Sequence, residues 1–171
     1  MKGFLAATLL LALVIPSTAN AAAGPETVSC TKFSKQVKKT SGAKKKTARA
    51  QLKRCKATNT ANKQAFALIK GTKWVGTRAD GVFSDDWTFC ASGAYELRTT
   101  SGGSTGISKG TSYKVADAIF KGNDFTAHIV DKSEGLSVAV ARTKGQFQVG
   151  TARSFGEVED LGPATRSAAA C

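Results

Sequence analysis

The chain has one histidine, one methionine and three prolines in 171 residues. A single histidine excludes a histidine-rich metal centre, since zinc wants roughly three or four His, Cys or carboxylate ligands. It also leaves any histidine acid–base chemistry to His128, which needs a nucleophile or carboxylate beside it and has none marked in the sequence. Long apolar runs are missing too. The longest, Phe4 to Ile15, covers 12 residues, against about 20 for a membrane-spanning helix. The Gly/Ser stretch Ser101 to Gly106 has no phosphate-loop lysine and opens no helix, so it is a flexible loop.

Negative charge is absent from one whole segment. Thr31 to Lys73 carries 14 Lys or Arg and no Asp or Glu, whereas Trp74 to Cys171 holds 10 basic and 11 acidic residues. The excess sits in one arm, and such a block attracts anionic polymers or surfaces and repels itself. Within the arm Phe33 and Phe66 are the sole aromatics, so no base-stacking platform is visible and nucleic acid is disfavoured as a partner.

Lys2, the apolar run, Pro16 and the small-residue site Ala19-Asn20-Ala21 predict a signal peptide over residues 1–21, cleaved near Ala21, and hence an exported protein. All four cysteines lie beyond it, and an even count in an oxidising compartment predicts two disulfides. The remainder divides into a basic helical arm over 22–72, a β domain over 73–153 and a C-terminal tail over 154–171 packed on that domain.

Phe33 and Val37, then Ala48, Leu52 and Cys55, recur at helical spacing around the turn Thr40-Ser41-Gly42-Ala43. This predicts an antiparallel helical hairpin, with a self-repelling disordered tail as the competing reading. Cys30 lies 12 residues before Gly42 and Cys55 lies 13 after it. At about 1.5 Å rise per residue the two sit at matching heights on facing stripes. The expected bridges are therefore Cys30–Cys55 and, by elimination, Cys90–Cys171. Thr58-Asn59-Thr60 offers cap side chains for a third helix ending at Gly71. From Lys73 the period switches to two, with runs near 73–79, 82–90, 94–100, 105–109, 112–120, 125–132, 136–143 and 146–152. The fold class is α+β: the basic hairpin, then a seven- to eight-stranded antiparallel meander, as a barrel rather than the competing sandwich. In the tail, Pro163 is placed to open a short terminal helix.

Gly71-Thr72-Lys73-Trp74, entering the first strand of a small meander after a short helix, resembles the opening of lipocalin- and avidin-like barrels. This chain has one residue more than the lipocalin Gly-x-Trp. The resemblance implies a barrel with a ligand cavity, one end sealed by Trp74 with Arg153 across it.

Asp85-Asp86 beside Trp87 suggests a carboxylate pair, but adjacent strand residues point to opposite faces. Asp117 shares strand parity with Tyr113, Val115 and Ile119; if that face is interior it is a polar group in a pocket. Tyr113, Asp117 and Trp87 are thus the candidate contacts of the β domain to a small or polymeric ligand, a small apolar molecule among the candidates. Lys38, Lys39, Lys44, Lys45, Lys46, Arg49, Lys53 and Arg54 are the candidate contacts to an anionic cell-wall polymer or membrane surface. No catalytic constellation, metal site or cofactor site is found. The chain reads as a secreted, non-enzymatic binding protein, and alternatively as a secreted inhibitor or toxin-like protein acting on an acidic target.

Overall fold

The structure, a computed structural model, describes residues 22–152 and 158–171. The signal-peptide segment and Arg153 lie outside the described residues. Among the described residues the protein is α+β, with two helices and a ten-stranded mixed sheet.

After the two-residue β1 (Gly24–Pro25) come α1 (Thr31–Lys39) and α2 (Gly42–Ile69). Ala, Lys, Gln and Leu dominate α2, all good helix formers. It runs through Thr58-Asn59-Thr60, where a new start was expected. The would-be caps are satisfied within the helix: the Thr58 and Thr60 hydroxyls donate to the carbonyls of Arg54 and Lys56. Asn59 turns away to accept from Val28 N at 2.9 Å and donate to Val28 O at 3.0 Å. The helix stops as expected before Gly71, whose φ of 70° suits the left-handed position that follows a helix. Buried residues recur every seventh position of α2, at Ala48, Cys55, Asn62 and Ile69. Both disulfides form, Cys30–Cys55 with Cα atoms 5.9 Å apart and Cys90–Cys171 at 5.8 Å.

Eight strands fill the region read as a meander: β2 (Thr72–Thr77), β3 (Ser84–Phe89), β4 (Tyr95–Ser101), β5 (Ser104–Gly110), β6 (Lys114–Lys121), β7 (Asp124–Asp131), β8 (Leu136–Thr143) and β9 (Gln146–Ala152). They form two antiparallel runs, β2 to β5 and β6 to β9, and β5 does not pair with β6. The sheet order is β1-β6-β7-β8-β9-β10-β2-β3-β4-β5, so hydrogen bonding leaves it open between β5 and β1. Next to β6 lie β1, paired in parallel, and α2. There Asn62 donates to Glu26 O at 2.9 Å and accepts from Ala118 N at 3.0 Å.

The tail is a strand and not a helix. β10 (Val158–Ala168) pairs with β9 from Val158 to Ala164, then with β2 from Ala164 to Ala168. It is the corner at which one run passes into the other, and bulges and bends are how strands change partners. The bend comes from an irregularity between Glu159 and Gly162 and from Asp160 at φ 55°. Pro163 precedes the first residue paired with β2, so one neighbour alone flanks its missing N–H. The core joins Trp74, Trp87, Leu97, Val115, Ile129, Val140 and Val149 of the strands to Ala65 and Ile69 of α2.

Candidate functional site

The candidate ligand contacts do not converge. Trp87 is fully buried, with Trp74 as its cross-strand partner. Tyr113 is buried among aromatics, its ring centroid 5.4 Å from Phe89, 6.0 Å from Phe66 and 6.4 Å from Tyr95. Its hydroxyl donates to Cys90 O at 3.4 Å, and burial pushes its phenol up to about 12. Both residues are core packing.

Asp117 is exposed, so the condition that would have made it a pocket group, an interior face shared with Tyr113 and Val115, is not met. β6 shifts register between Ala116 and Ile119, and Asp117 itself takes φ 49°. The extra residue reverses the alternation. Tyr113 and Val115 face inward, Ala118 takes the next buried place, and Ile119 is turned out to 59 % exposure. Outside, Asp117 Oδ2 stands 3.7 Å from Nδ1 of the buried His128, too far for a hydrogen bond. Burial lowers the His128 pKa and the Asp117 charge opposes that shift, so the imidazole is neutral at pH 7.

Trp74 meets Phe147 edge to face at 5.3 Å. Two arginines lie over that phenyl ring, Arg142 and Arg166, each with its guanidinium carbon 5.7 Å from the centroid. Arg166 is the Cα partner of Trp74 and donates to Leu68 O in the last turn of α2 at 2.6 Å. Among the described residues the base beside Trp74 is Arg166, while the expected partner Arg153 lies outside them.

Sequence reasoning missed the pair Arg78–Asp85. Asp85 accepts from Arg78 Nε at 2.9 Å and Nη2 at 3.0 Å, and from Thr99 Oγ1 at 2.7 Å. A buried carboxylate needs such partners; the opposite charges flanking the Ala79-Asp80-Gly81 turn were the available signal. Asp86 faces the other way and pairs with Lys73 at 2.8 Å, as strand alternation requires.

The basic residues of the arm stand differently. Lys38, Lys39, Lys44, Lys46, Arg49, Lys53 and Arg54 are exposed and Lys45 is half-buried. The ion pairs among the described residues involve Lys73, Arg78, Arg98, Lys109, His128 and Lys132, and none of these eight. On α2, Lys45, Arg49, Lys53, Lys56 and Lys63 follow at steps of three, four or seven residues. At 3.6 residues per turn they form one stripe centred roughly 120° round the helix from Ala48, Cys55, Asn62 and Ile69. Phe66 is turned onto Tyr113, so it offers no stacking surface.

Among the described residues no group of three His, Cys, Asp or Glu is placed to hold a metal, and no helix is long and apolar enough to cross a membrane. Two disulfides fit an oxidising environment. In comparisons with known proteins, no family model, curated protein or solved structure matches the chain.

Proposed function

We propose that the protein is an exported, non-enzymatic binding protein whose cationic helices hold it against an anionic surface, either a cell-wall polymer or membrane headgroups. The two helices act as a disulfide-stapled hairpin for this purpose. The rolled sheet, an open relative of the lipocalin/avidin-like barrels in this reading, is the ligand-binding part. The observation that carries the proposal is the basic stripe Lys45, Arg49, Lys53, Lys56 and Lys63, with no carboxylate on either helix and no ion pair to any of the five among the described residues. Near an anionic membrane each such residue contributes about 1 kcal/mol, and the attraction fades over a Debye length of about 10 Å at 0.1 M salt.

The test is co-sedimentation with phosphatidylglycerol vesicles and with purified cell wall across a salt series. Binding is expected to weaken steeply as salt rises. Replacing Lys45, Arg49, Lys53 and Lys56 with Gln should cost about 1,000-fold in affinity, at roughly 1 kcal/mol for each charge. Binding indifferent to salt, or untouched by the four replacements, would remove the proposal.

A further inference from the structure

The two edges of the sheet are built differently. At one of them β6 is covered. Gly24 N and Glu26 N donate to the carbonyls of Tyr113 and Val115 at 3.1 and 2.8 Å, and Asn62 Oδ1 accepts from Ala118 N at 3.0 Å. Pro25, between those two donors, has no N–H of its own. A two-residue outer strand, a proline and the register shift between Ala116 and Ile119 all blunt an edge against further pairing.

The other edge is β5, and none of these devices protects it. Ser104 to Gly110 pair with β4 in unbroken register, and Ser104 to Lys109 are exposed. Among the described residues β5 has a strand neighbour on one side alone. Every second residue therefore turns an unpaired N–H and C=O to the open side. The strand has no proline, and its one charge, Lys109, is held by Glu96 of β4 at 2.6 Å. Thr105, Ile107 and Lys109 share the outer face with their partners Thr100, Arg98 and Glu96. Gly106, Ser108 and Gly110 face inward beside Thr99 and the buried Leu97 and Tyr95. Side chains this small leave the approach of another strand unobstructed.

The edge is also complementary to itself. In an antiparallel pair about a two-fold axis at Ile107, Ser104 stands opposite Gly110, Thr105 opposite Lys109 and Gly106 opposite Ser108. Ile107, 52 % exposed in the single chain, meets its own copy. All seven residues are paired, and Lys109 does not face its counterpart. From Trp74 onward the chain holds 10 basic and 11 acidic residues, so net charge does not oppose the approach of two β domains.

We propose that β5 pairs antiparallel with β5 of a second copy of this chain, giving a two-fold dimer with one continuous sheet. The covered β6 edge is what selects this occupant. It offers no free ladder for head-to-tail growth, so the two open edges close on each other and association stops at two. The dimer goes beyond the surface-binding reading and does not rest on it.

The experiment is sedimentation velocity with residue-resolved hydrogen exchange, from about 10 µM to about 1 mM protein. The mass should rise from one chain to two and no further, and alternate β5 amides should gain protection as it does. Salt that strips the protein from anionic vesicles should leave the dimer in place, since main-chain hydrogen bonds hold it. Ile107→Lys sets like charges opposite each other and should weaken the dimer about tenfold or more, with the urea midpoint of the monomer unchanged. Val82→Lys, at a 56 % exposed position before β3, should change nothing. If Ile107→Lys fails to fold, the concentration dependence of β5 exchange in the unaltered protein decides. A protein still monomeric at about 1 mM, its β5 amides exchanging freely, overturns the proposal and leaves the edge to a foreign extended segment. A dimer that survives Ile107→Lys, or that protects α1 or α2 in place of β5, overturns it as well. Vesicle binding by the monomeric variant reports on the arm separately.

Discussion

A side chain at position 162 would need space that β2 and its turn already fill. A Cβ built on Gly162 would overlap the Thr77 carbonyl oxygen and lie 2.5 Å from the carbonyl carbon of Arg78. Both obstacles are backbone, so no rotamer change relieves them. Gly162→Ala should therefore destabilise by about 1–3 kcal/mol, the usual range for forced overpacking, read as a lower urea midpoint with an unchanged slope. Gly106→Ala is the control: its Cβ would meet nothing nearer than Thr99 O at 3.8 Å, and its midpoint should move far less. Equal losses would assign the effect to strand glycines in general and not to the corner. Position 162 also marks where residue-level reading stops. Alternation placed Asp85 and Asp86 on opposite faces correctly, because a regular strand fixes parity. It gave Asp117 the parity of Tyr113 and Val115 and left its face open, because a positive φ at a non-glycine residue leaves no sign in the sequence and one extra residue reverses the alternation after it.

At the scale of elements, cysteine spacing, tight turns and the helix stop before Gly71 were informative, and the expected helix start at Thr58-Asn59-Thr60 was not. Equal distances from Gly42 were enough to pair Cys30 with Cys55, since rise per residue is a constant of the helix. The continuity of α2 through Thr58-Asn59-Thr60 depends on partners distant in sequence, Val28 for Asn59 and both Glu26 and Ala118 for Asn62. The same holds for the tail, whose strand identity comes from gaps beside β9 and β2 that no local pattern announces. The arm's bridge closes a separation of 25 residues, worth about 3 kcal/mol in the loop-entropy account, against repulsion among lysines with no carboxylate nearby. Cys30→Ser/Cys55→Ser should accordingly loosen α1 first. In hydrogen exchange, amides of Thr31–Lys39 should lose protection while those of β7 and β8 keep theirs. Simultaneous loss in both regions would show that the staple supports the sheet as well.

For the whole molecule, one buried hydrogen bond ties the two antiparallel runs together across strands that are not neighbours. Tyr95 of β4 donates to Asp131 Oδ2 of β7 at 3.0 Å, with Tyr95 lying across Gly110. Burial would raise the Asp131 pKa, but hydrogen bonds from the Ser133 hydroxyl and amide, from Tyr95 and from the Glu134 amide outweigh it and leave it lowered. Burial, then Asp131, raises the Tyr95 phenol. The signs set the pH profile. A carboxyl with a lowered folded pKa stabilises above its unfolded value, about 3.9, and that contribution is lost as pH falls through the folded one. A phenol with a raised folded pKa stabilises fully below its unfolded value, about 10, and loses its contribution as pH rises towards the folded one. Stability should be level from about pH 5 to 9 as far as these groups decide it, falling on both sides. Asp131→Asn should flatten the acid limb and Tyr95→Phe the alkaline limb, each read from urea midpoints against pH. An Asp131→Asn protein with an unchanged acid limb would place the acid sensitivity in other groups.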